Sequence, residues 1–408
     1  MITSKNLMDQ VEKYRQDIIH AQRRLVAMPA MSPVSGGQGE TQKALLVEGW
    51  LKEMGLAVER IDAPDDRVPG GYRPNIAAVW PGGDGPRVWV LSHLDVVPPG
   101  SLSLWDSDPW SLREDGDRIY GRGVEDNHAG LVCSLFGLKA LMDLGVTPAG
   151  QVGLLMVSDE ENGSKFGLDY VLEKRLDMFN PDDLIVVPDA GRPDSSLIEV
   201  AEKSIFWVKV EVSGKQVHAS RPHRGVNALR AAARMMVAID ELPGRFPQSD
   251  PMFSPPGSTF EPTRKEAGVE NVNTVPGRDV FYIDCRVMPA YPLDEVEAAL
   301  RSRFEELAAE VGAKVSLSAV QKQQAAPPTP ADAPVVTALK RAIKQVHGVD
   351  ASPGGIGGGT VAAFFRRRGL PAAVWITSQE SAHQPNESVS VSTLIKDAQV
   401  FALLYAGM

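Results

Sequence analysis

Two residues with metal-ligand chemistry stand at the end of an apolar segment. Residues 87–94 predict a strand, and His93 and Asp95 lie at its end within Ser-His-Leu-Asp-Val-Val-Pro. Residues two apart on a strand project from the same side, so one can ligate a metal ion while the other orients it or helps to bind. A structural histidine–aspartate pair is the alternative interpretation of this motif on its own.

Acidic residues lie in turns beside other predicted elements. Asp126 occurs in a glycine-rich turn, residues 120–130, that leads into a helix, where a capping role is an equally good interpretation. The apolar segment 151–158 is followed by three adjacent acids, Asp159, Glu160 and Glu161. Adjacent carboxylates repel one another, so a bound cation would account for them, although a solvated loop is the alternative.

The same arrangement recurs at two more apolar segments. Asp189 ends the segment 184–188, and His383 follows the segment 372–377. Strand ends that open into loops are where α/β sheets bind ligands. Two histidines with several carboxylates are a donor set for a Zn²⁺, Mn²⁺ or Co²⁺ pair. Two metals about 3.5–4 Å apart share a bridging carboxylate and carry out hydrolysis, so these residues together predict a two-metal hydrolytic site.

The elements that must position these residues alternate between short strands and helices. Strands are predicted over five apolar segments, 75–80, 87–94, 151–158, 184–188 and 372–377. Helices are predicted at 130–144, 334–347, 360–368 and 392–405, with two more in the first 60 residues. Because both faces of the strands are apolar, the pattern predicts an α/β/α sandwich with helices on each side of the sheet.

The middle of the chain has a different pattern. Predicted strands and helices follow the order β-α-β-β-α-β, which is ferredoxin-like, at 204–212, 227–242, 268–275, 279–287, 293–311 and 313–320. The proline-rich segment 325–333 would be the return linker. We therefore expect an α/β domain in two parts, residues 1–202 and 323–408, with an inserted α+β domain, residues 203–322.

Composition argues against several classes of protein. The 408 residues carry a formal net charge of −10, which argues against a nucleic-acid partner or an anionic membrane surface. The two cysteines, Cys133 and Cys285, cannot form a disulfide scaffold and favour a reducing compartment. No apolar segment is long enough for a membrane span and the first residues carry no secretory pattern, so we expect a cytoplasmic protein.

Taken in order along the chain, the motifs resemble those of the M20 family of metallopeptidases and deacylases. Five segments carry the resemblance: SHLDVVP from residue 92, YGRGVEDNHAG from 120, SDEENGS from 158, PDAG from 188 and AHQPNE from 382. The inserted domain is similar to the lid and dimerisation domain of that family. The resemblance therefore covers essentially the whole chain.

The resemblance implies a role for each residue of the predicted site. One metal ion would be held by His93, Asp126 and Asp189. The other would be held by Asp126, Glu161 and His383, with Asp126 as the bridge. Asp95 would orient His93. Glu160 would be the general base that takes a proton from the attacking water and passes it to the leaving amine.

A second set of residues is implied in the lid. The segment Gly-Lys-Gln-Val-His-Ala from residue 214 resembles the family's lid motif of a glycine followed by His-Ala, which implies that His218 reaches the active site of the partner subunit in a homodimer and stabilises the oxyanion. Asn273 and Arg286 match lid positions that bind substrate. An arginine suits a substrate carboxylate because its guanidinium binds it bidentately, although a surface ion pair is the alternative interpretation of Arg286.

A glycine-rich stretch, residues 354–360, precedes the predicted helix 360–368. A dinucleotide-binding loop is a weak interpretation because no strand is predicted before the stretch. It resembles instead the family's substrate loop, in which Gly358, Gly359 and Thr360 can face a carboxylate at a helix N-terminus. One departure from the family pattern is His128, which stands where many members carry lysine.

The implied activity is hydrolysis of the amide bond in N-acyl amino acids or short peptides with a free carboxylate, as in acetylornithine deacetylase or succinyl-diaminopimelate desuccinylase. Two divalent ions are expected, Zn²⁺ first and Co²⁺ or Mn²⁺ as alternatives. A dipeptidase or carboxypeptidase activity is the alternative within the family, and Asp189 in place of glutamate favours it slightly. A catalytically silent binding protein on the same fold is the alternative from another class.

Overall fold

The computed structural model describes residues 2–408 and divides them into two compact units. The first unit contains the chain up to Val200 together with Pro328–Gly354 and Thr360–Met408. The second unit contains Ala201–Pro327 and Gly355–Gly359. The chain is thus an α/β unit interrupted by an inserted α+β unit, the fold class that the sequence predicts.

The second unit takes in Gly355–Gly359, which the predicted division places in the catalytic domain. Backbone and side-chain hydrogen bonds tie this short segment to the insert. Lys203 N donates to the Ile356 carbonyl at 3.1 Å, and Arg286 Nη1 donates to the Gly357 carbonyl at 3.0 Å. These contacts explain why the segment groups with the insert.

The first unit is built on an eight-stranded sheet. Its strands lie in the order Ala57–Arg60, Ile76–Trp80, Val152–Val157, Val88–His93, Leu184–Val187, Ala372–Val374, Leu197–Glu202 and Ser352–Ile356. The four from Val152–Val157 to Ala372–Val374 are parallel to one another. Their residues are buried on both faces, as expected for parallel strands covered by helices on both sides.

Helices cover both faces of this sheet. On one face, helices Leu168–Arg175 and Ala362–Arg367 pack in a cluster with Trp89, and the ring of Phe179 lies 5.1 Å from that of Trp89. Because side chains alternate along a strand, the other face is left for helices His128–Asp143 and Pro334–His347, which also contact these strands. The α/β/α sandwich predicted from the apolar strands is confirmed.

Helix His128–Asp143 is buried on nearly all sides because helix Val391–Ala406 packs against it. The two helices approach closely at Gly137, where a Cβ atom would lie 2.9 Å from the Ala398 carbonyl oxygen. The remaining α-helices of the first unit are Ser4–Glu12, Arg15–Val26 and Thr41–Glu53. The first 60 residues therefore hold three helices, where the periodicity predicts two.

The remaining short strands of the first unit form two small sheets, Arg113–Asp115 with Arg118–Tyr120 and Ser388–Ser390, and Ala63–Pro64 with Tyr72–Arg73. Short 3₁₀ turns lie at Pro33–Ser35, Leu102–Leu104, Glu160–Asn162 and Leu176–Met178. Strand Ser388–Ser390 pairs with Arg118–Tyr120. This pairing brings the segment after His383 beside the segment before Asp126.

The second unit is a four-stranded antiparallel sheet in the order Thr259–Lys265, Arg278–Val287, Ser204–Ser213 and Lys314–Gln323. With helices Ala228–Ala238 and Leu293–Val311 between strands, the chain order is β-α-β-β-α-β and the sheet order is that of a ferredoxin-like fold. Alternate residues of the central strands, such as Val210 and Phe281, are buried beneath the helices. A short helix at Leu242–Arg245 and 3₁₀ turns at Pro222–Arg224 and Ile239–Glu241 complete the unit.

The strand predicted at 268–275 is wrong. The second strand of the unit is Thr259–Lys265, which pairs with Arg278–Val287. Residues 268–273 contain glycine and asparagine, which favour turns, and only Thr274–Val275 is extended, paired with Val217–His218. Within residues 2–408, no helix is both long and apolar enough to cross a membrane.

Candidate metal centre

The parallel strands bring the predicted ligands to one edge of the first unit. His93 is the last residue of its strand, Glu161 follows Val152–Val157, and Asp189 follows Leu184–Val187. His383 comes from the loop after Ala372–Val374, and Asp126 from the turn before helix His128–Asp143. Parallel strands end at the same edge of a sheet, so side chains far apart in sequence meet there.

The ligand atoms form two groups that share Asp126. In the first, His93 Nε2 lies 2.9 Å from Asp126 Oδ1 and 3.4 Å from Asp189 Oδ1. In the second, His383 Nε2 lies 3.1 Å from Asp126 Oδ2 and 3.1 Å from Glu161 Oε2. Asp126 therefore turns one carboxylate oxygen towards each histidine, which is the arrangement a bridging ligand needs.

The local charge favours cations at this centre. Burial opposes the charge on His93, but its hydrogen bonds with Asp126 and Asp189 raise its pKa well above the ordinary value. Hydrogen bonds with Asp126 and Glu161 raise the pKa of His383 to about 10. The carboxylates that favour positive charge on both imidazoles would equally attract divalent ions, and imidazole with carboxylate is a fitting donor set for Zn²⁺, Co²⁺ or Mn²⁺.

Glu160 and Glu161 share one turn, Glu160–Asn162, but differ in their surroundings. Among the described residues, only Glu161 belongs to a ligand group. Burial, reinforced by the negative charge of Asp189, raises the pKa of Glu160 well above its ordinary value. A carboxyl group whose pKa is raised accepts a proton more readily than an ordinary carboxylate does, as a general base requires.

Asp95 holds this turn in place as well as contacting His93. Its two carboxylate oxygens accept hydrogen bonds from Glu160 N at 3.0 Å and Glu161 N at 3.1 Å. His93 Nδ1 lies 2.9 Å from the Asp95 carbonyl oxygen and 3.6 Å from its carboxylate. The backbone of Asp95 thus orients His93 more closely than its side chain does.

Asp159, the first of the three adjacent acids, lies outside both ligand groups. Its carboxylate pairs at 3.3 Å with Arg73, a fully buried arginine that also binds Glu40. Asp159 is therefore part of an ion-pair cluster beneath the site. Arg73 and Glu40 stand in no motif, so nothing local in the sequence predicts this cluster.

Other supporting residues do stand in the motifs. Asn127 Nδ2 donates to Asp189 Oδ1 at 2.9 Å and thereby fixes that ligand. Gly123 has φ +91°, and a Cβ there would lie 2.5 Å from His128 Cε1, so the turn before Asp126 requires glycine. His128 Nε2 lies 2.7 Å from the Nζ of Lys43, which comes from helix Thr41–Glu53.

Two of the predicted lid residues lie together in the second unit. His218 is exposed on the short strand Val217–His218, where its Nδ1 lies 2.8 Å from Ser220 Oγ. Asn273 precedes the paired strand, and its carbonyl accepts from Ala219 N at 2.7 Å. The insert thus places His218 and Asn273 side by side.

Arg286 and the glycine-rich segment form another group. Asp284 accepts from Arg286 Nε at 2.7 Å and Nη2 at 3.0 Å, and Nη1 donates to the Gly357 carbonyl, next to Gly358 and Gly359. Arg286 therefore forms the ion pair that was the alternative interpretation. Its guanidinium still has two further N–H donors, which a substrate carboxylate could use.

The glycine-rich stretch differs from its prediction. A strand, Ser352–Ile356, takes in the first three residues of the stretch, and Thr360 is buried, with its hydroxyl 3.3 Å from Ala362 N. The helix that follows, Ala362–Arg367, has only six residues. Its dipole is therefore a weak basis for binding a carboxylate, and Thr360 serves the start of that helix.

Comparison with known proteins agrees with this geometry. Residues 89–406 match the profile of Peptidase family M20/M25/M40. An uncharacterized metallohydrolase of Methanococcus maripaludis is 36% identical over 97% of this chain and 99% of its own. A succinyl-diaminopimelate desuccinylase of Nitratiruptor is 28% identical over 78% and 84%. The structure of human carnosine dipeptidase 1 has a TM-score of 0.79 at 17% identity over 100% and 99% of the chains, a likeness of fold.

We predict that substitutions of Asp126 and Glu160 separate metal binding from proton transfer. Asp126→Ala should remove metal from both ligand groups, because each group uses one of its oxygens. Glu160→Gln should retain the metal and lower kcat by about 10²–10⁴-fold, the contribution of a general acid–base. Bound metal is measured by plasma mass spectrometry after dialysis. The matched control is Glu173→Gln, the same substitution at an exposed glutamate outside the site, which should change neither metal content nor kcat. Loss of metal from Glu160→Gln, or an unchanged kcat, would contradict the assignment.

Proposed function

The chain belongs to Peptidase family M20/M25/M40 and is a metal-dependent hydrolase, and from this premise we propose that it cleaves the amide bond of N-acyl amino acids or short peptides. The observation that supports this proposal is the shared carboxylate: Asp126 faces His93 with one oxygen and His383 with the other, beside the half-buried Glu160. Two adjoining ligand groups with a nearby proton acceptor suit hydrolysis.

The first unit would supply the reacting groups. His93, Asp126 and Asp189, and Asp126, Glu161 and His383, would each hold one divalent ion, most suitably Zn²⁺, with Co²⁺ or Mn²⁺ as alternatives. When bound, such ions polarise the substrate carbonyl and lower the pKa of water. Glu160 would take the proton of the attacking water and return it to the leaving amine, for which its raised pKa is suited.

The second unit would supply groups that recognise substrate. Three of the five N–H donors of Arg286 bind Asp284 and Gly357, and the other two can bind a carboxylate. The same substrate would also contact Asn273, which lies beside His218, and Gly358 and Gly359, which follow Gly357. Thr360 has a structural contact of its own, with Ala362 N. We propose a substrate with a free carboxylate on this basis.

A homodimer formed through the insert would complete the site. The edge strand Lys314–Gln323 is exposed along most of its length, including Val320, and an exposed edge is a surface that a second chain can cover. Isologous pairing through the insert would allow His218 of one chain to reach the metal centre of the other and to donate to the developing oxyanion.

The activity itself is tested with a substrate panel. The purified protein, stripped of metal and reloaded with Zn²⁺, Co²⁺ or Mn²⁺, is given N-acetyl and N-succinyl amino acids and unblocked dipeptides, and the released amine is quantified. Cleavage of acylated amino acids indicates a deacylase, and cleavage of dipeptides a dipeptidase or carboxypeptidase. Hydrolysis should fall by about 10²–10⁴-fold in Glu160→Gln. Absence of turnover on the whole panel with every metal would favour the silent binding protein.

Recognition of the carboxylate is tested with Arg286→Met. For a cleaved substrate, loss of a charge-assisted hydrogen bond of about 1.5–3 kcal/mol should lower kcat/KM by roughly 10- to 150-fold. The matching substrate amide should be a poor substrate of the unmodified enzyme and should lose little more in the variant. Arg278→Met, on the same strand and paired with Glu211, is the control. Equal use of acid and amide by the unmodified enzyme would contradict the carboxylate clamp.

Sharing of the active site is tested by complementation. We predict that His218→Ala and Glu160→Ala are each nearly inactive, since removing an oxyanion donor costs about 10²–10³-fold in kcat. Mixed and allowed to exchange subunits, they should regain part of the activity, because a mixed dimer contains one site with neither lesion. Subunit exchange is verified with differently tagged chains. Exchange without recovery would place the role of His218 within its own chain.

A further inference from the structure

The two loops that carry Asp126 and His383 are each held by a glutamate from the other loop. We call residues 121–127 the bridge loop and residues 377–388 the histidine loop. Glu125 belongs to the bridge loop and Glu387 to the histidine loop, and both side chains are buried. Neither glutamate is a member of a ligand group among the described residues.

Glu387 accepts hydrogen bonds from several backbone N–H groups of the bridge loop. One of its oxygens accepts hydrogen bonds from Glu125 N at 2.9 Å and Asp126 N at 3.0 Å. The other accepts from Gly123 N at 2.9 Å and from the buried guanidinium of Arg122 at 2.6 Å. The backbone of the shared ligand Asp126 is therefore fixed by a carboxylate from the loop that carries His383.

Glu125 does the same for the histidine loop. Its Oε1 accepts from Ser378 Oγ at 2.8 Å and from the backbone N–H groups of Gln379 and Glu380. Its Oε2 accepts from Ser381 N at 2.8 Å and from the Ser381 hydroxyl. Four consecutive residues just before His383 are thus wrapped around one carboxylate.

The histidine loop has a backbone that needs such support. Glu380, His383 and Asn386 all have positive φ angles, of 59°, 64° and 58°, although none is glycine. Residues in this left-handed region persist only where the surroundings over-determine them. Since His383 is itself one of them, release of the loop would let its imidazole leave the position opposite Asp126 and Glu161.

We propose that Glu125 and Glu387 are positioning residues that preorganise the metal centre, with Glu125 holding the ligand His383 and Glu387 holding the shared ligand Asp126. The inference rests on the proposed function, because it concerns the same two ligand groups. It assigns the two glutamates different effects. Loss of Glu125 frees one ligand of one group, whereas loss of Glu387 frees the ligand that both groups share.

The test is a Zn²⁺ titration of the metal-stripped full-length protein in competition with a chromophoric chelator. The unmodified protein should bind two equivalents. In Glu125→Gln, one equivalent should bind about 10- to 100-fold more weakly and the other within about threefold of the unmodified protein, as expected for loss of a group that orients a ligand. In Glu387→Gln, both equivalents should weaken. Far-ultraviolet circular dichroism and the Tm of the metal-free proteins report on folding.

Glu380→Gln is the matched control. This substitution removes a negative charge from an exposed side chain of the same loop without touching the carboxylates of Glu125 and Glu387. Zn²⁺ affinity should change less than threefold. A loss as large as that of Glu125→Gln would mean that charge near the centre, and not hydrogen bonding to the loop, sets the affinity, and would overturn the proposal.

The remaining outcomes are also decisive. If the unmodified protein binds Co²⁺ or Mn²⁺ but no Zn²⁺, the titrations are run with that ion. If it binds none of the three, the proposed function fails and the inference with it. If it binds two equivalents and both variants bind as tightly, the positioning roles alone are refuted. If Glu125→Gln does not fold, Ser378→Ala removes one donor to Glu125, and the equivalent at His383 should weaken about fivefold. Unchanged affinity in a folded Ser378→Ala would refute the role of Glu125.

Discussion

The arrangement of the first unit depends on how a concentration of buried carboxylates is compensated. A charge removed from water costs several kcal/mol unless cations or hydrogen-bond donors replace its hydration. Beneath the centre, Arg73 pairs with Glu40 and Asp159, all of them buried. Asp95 is compensated by backbone N–H groups of the turn that carries Glu160 and Glu161. Asp126, Asp189 and Glu161 face the two histidines instead, so their negative charge lies where metal ions would bind.

The parallel sheet makes this concentration possible. Its central strands are buried along their whole length and end at the same edge, so that polar side chains such as His93 stand where the strands stop. The ligands therefore come from separate stretches of chain: His93 ends a strand, Glu161, Asp189 and His383 lie in segments that follow strands, and Asp126 precedes helix His128–Asp143. The ligand groups include residues as distant in sequence as Asp126 and His383, and the loop that carries His383 has positive φ angles at three residues other than glycine. The sheet can support these loops because its own stability comes from the buried strands and not from the loop residues.

Features that depend on neighbouring residues could be predicted from the sequence, whereas contacts between residues far apart in the chain could not. Apolar strands such as Val88–His93 and Val152–Val157 lie where the hydrophobic pattern predicts them, because burial on both faces is a local property of their sequence. The strand Thr259–Lys265 was not predictable in the same way, since its outer residues are exposed and its pairing with Arg278–Val287 decides its conformation. Ordered motifs predict the ligand set that the sheet brings together. They do not predict the contacts of Glu125 with residues 378–381, which are about 250 positions away and become visible only when two loops meet.

The contact between Lys43 and His128 shows how a departure from a family pattern can be compensated elsewhere in the chain. In the family pattern that the motifs resemble, lysine is common at the position of His128, and a histidine there predicts the loss of a positive charge beside Asp126. In the structure, burial and the neighbouring Lys43 lower the pKa of His128 well below its ordinary value, so its imidazole is neutral and its Nε2 can accept a hydrogen bond from Lys43 Nζ at 2.7 Å. Burial lowers the pKa of Lys43 to about 7, but the charges of Asp95, Glu40 and Glu387 favour its protonated form. The Nζ of Lys43, from helix Thr41–Glu53, therefore lies beside position 128 with a pKa close to neutral. The charge balance of the buried acids thus depends on which groups surround them in space, and the residue at one sequence position is a poor guide to it.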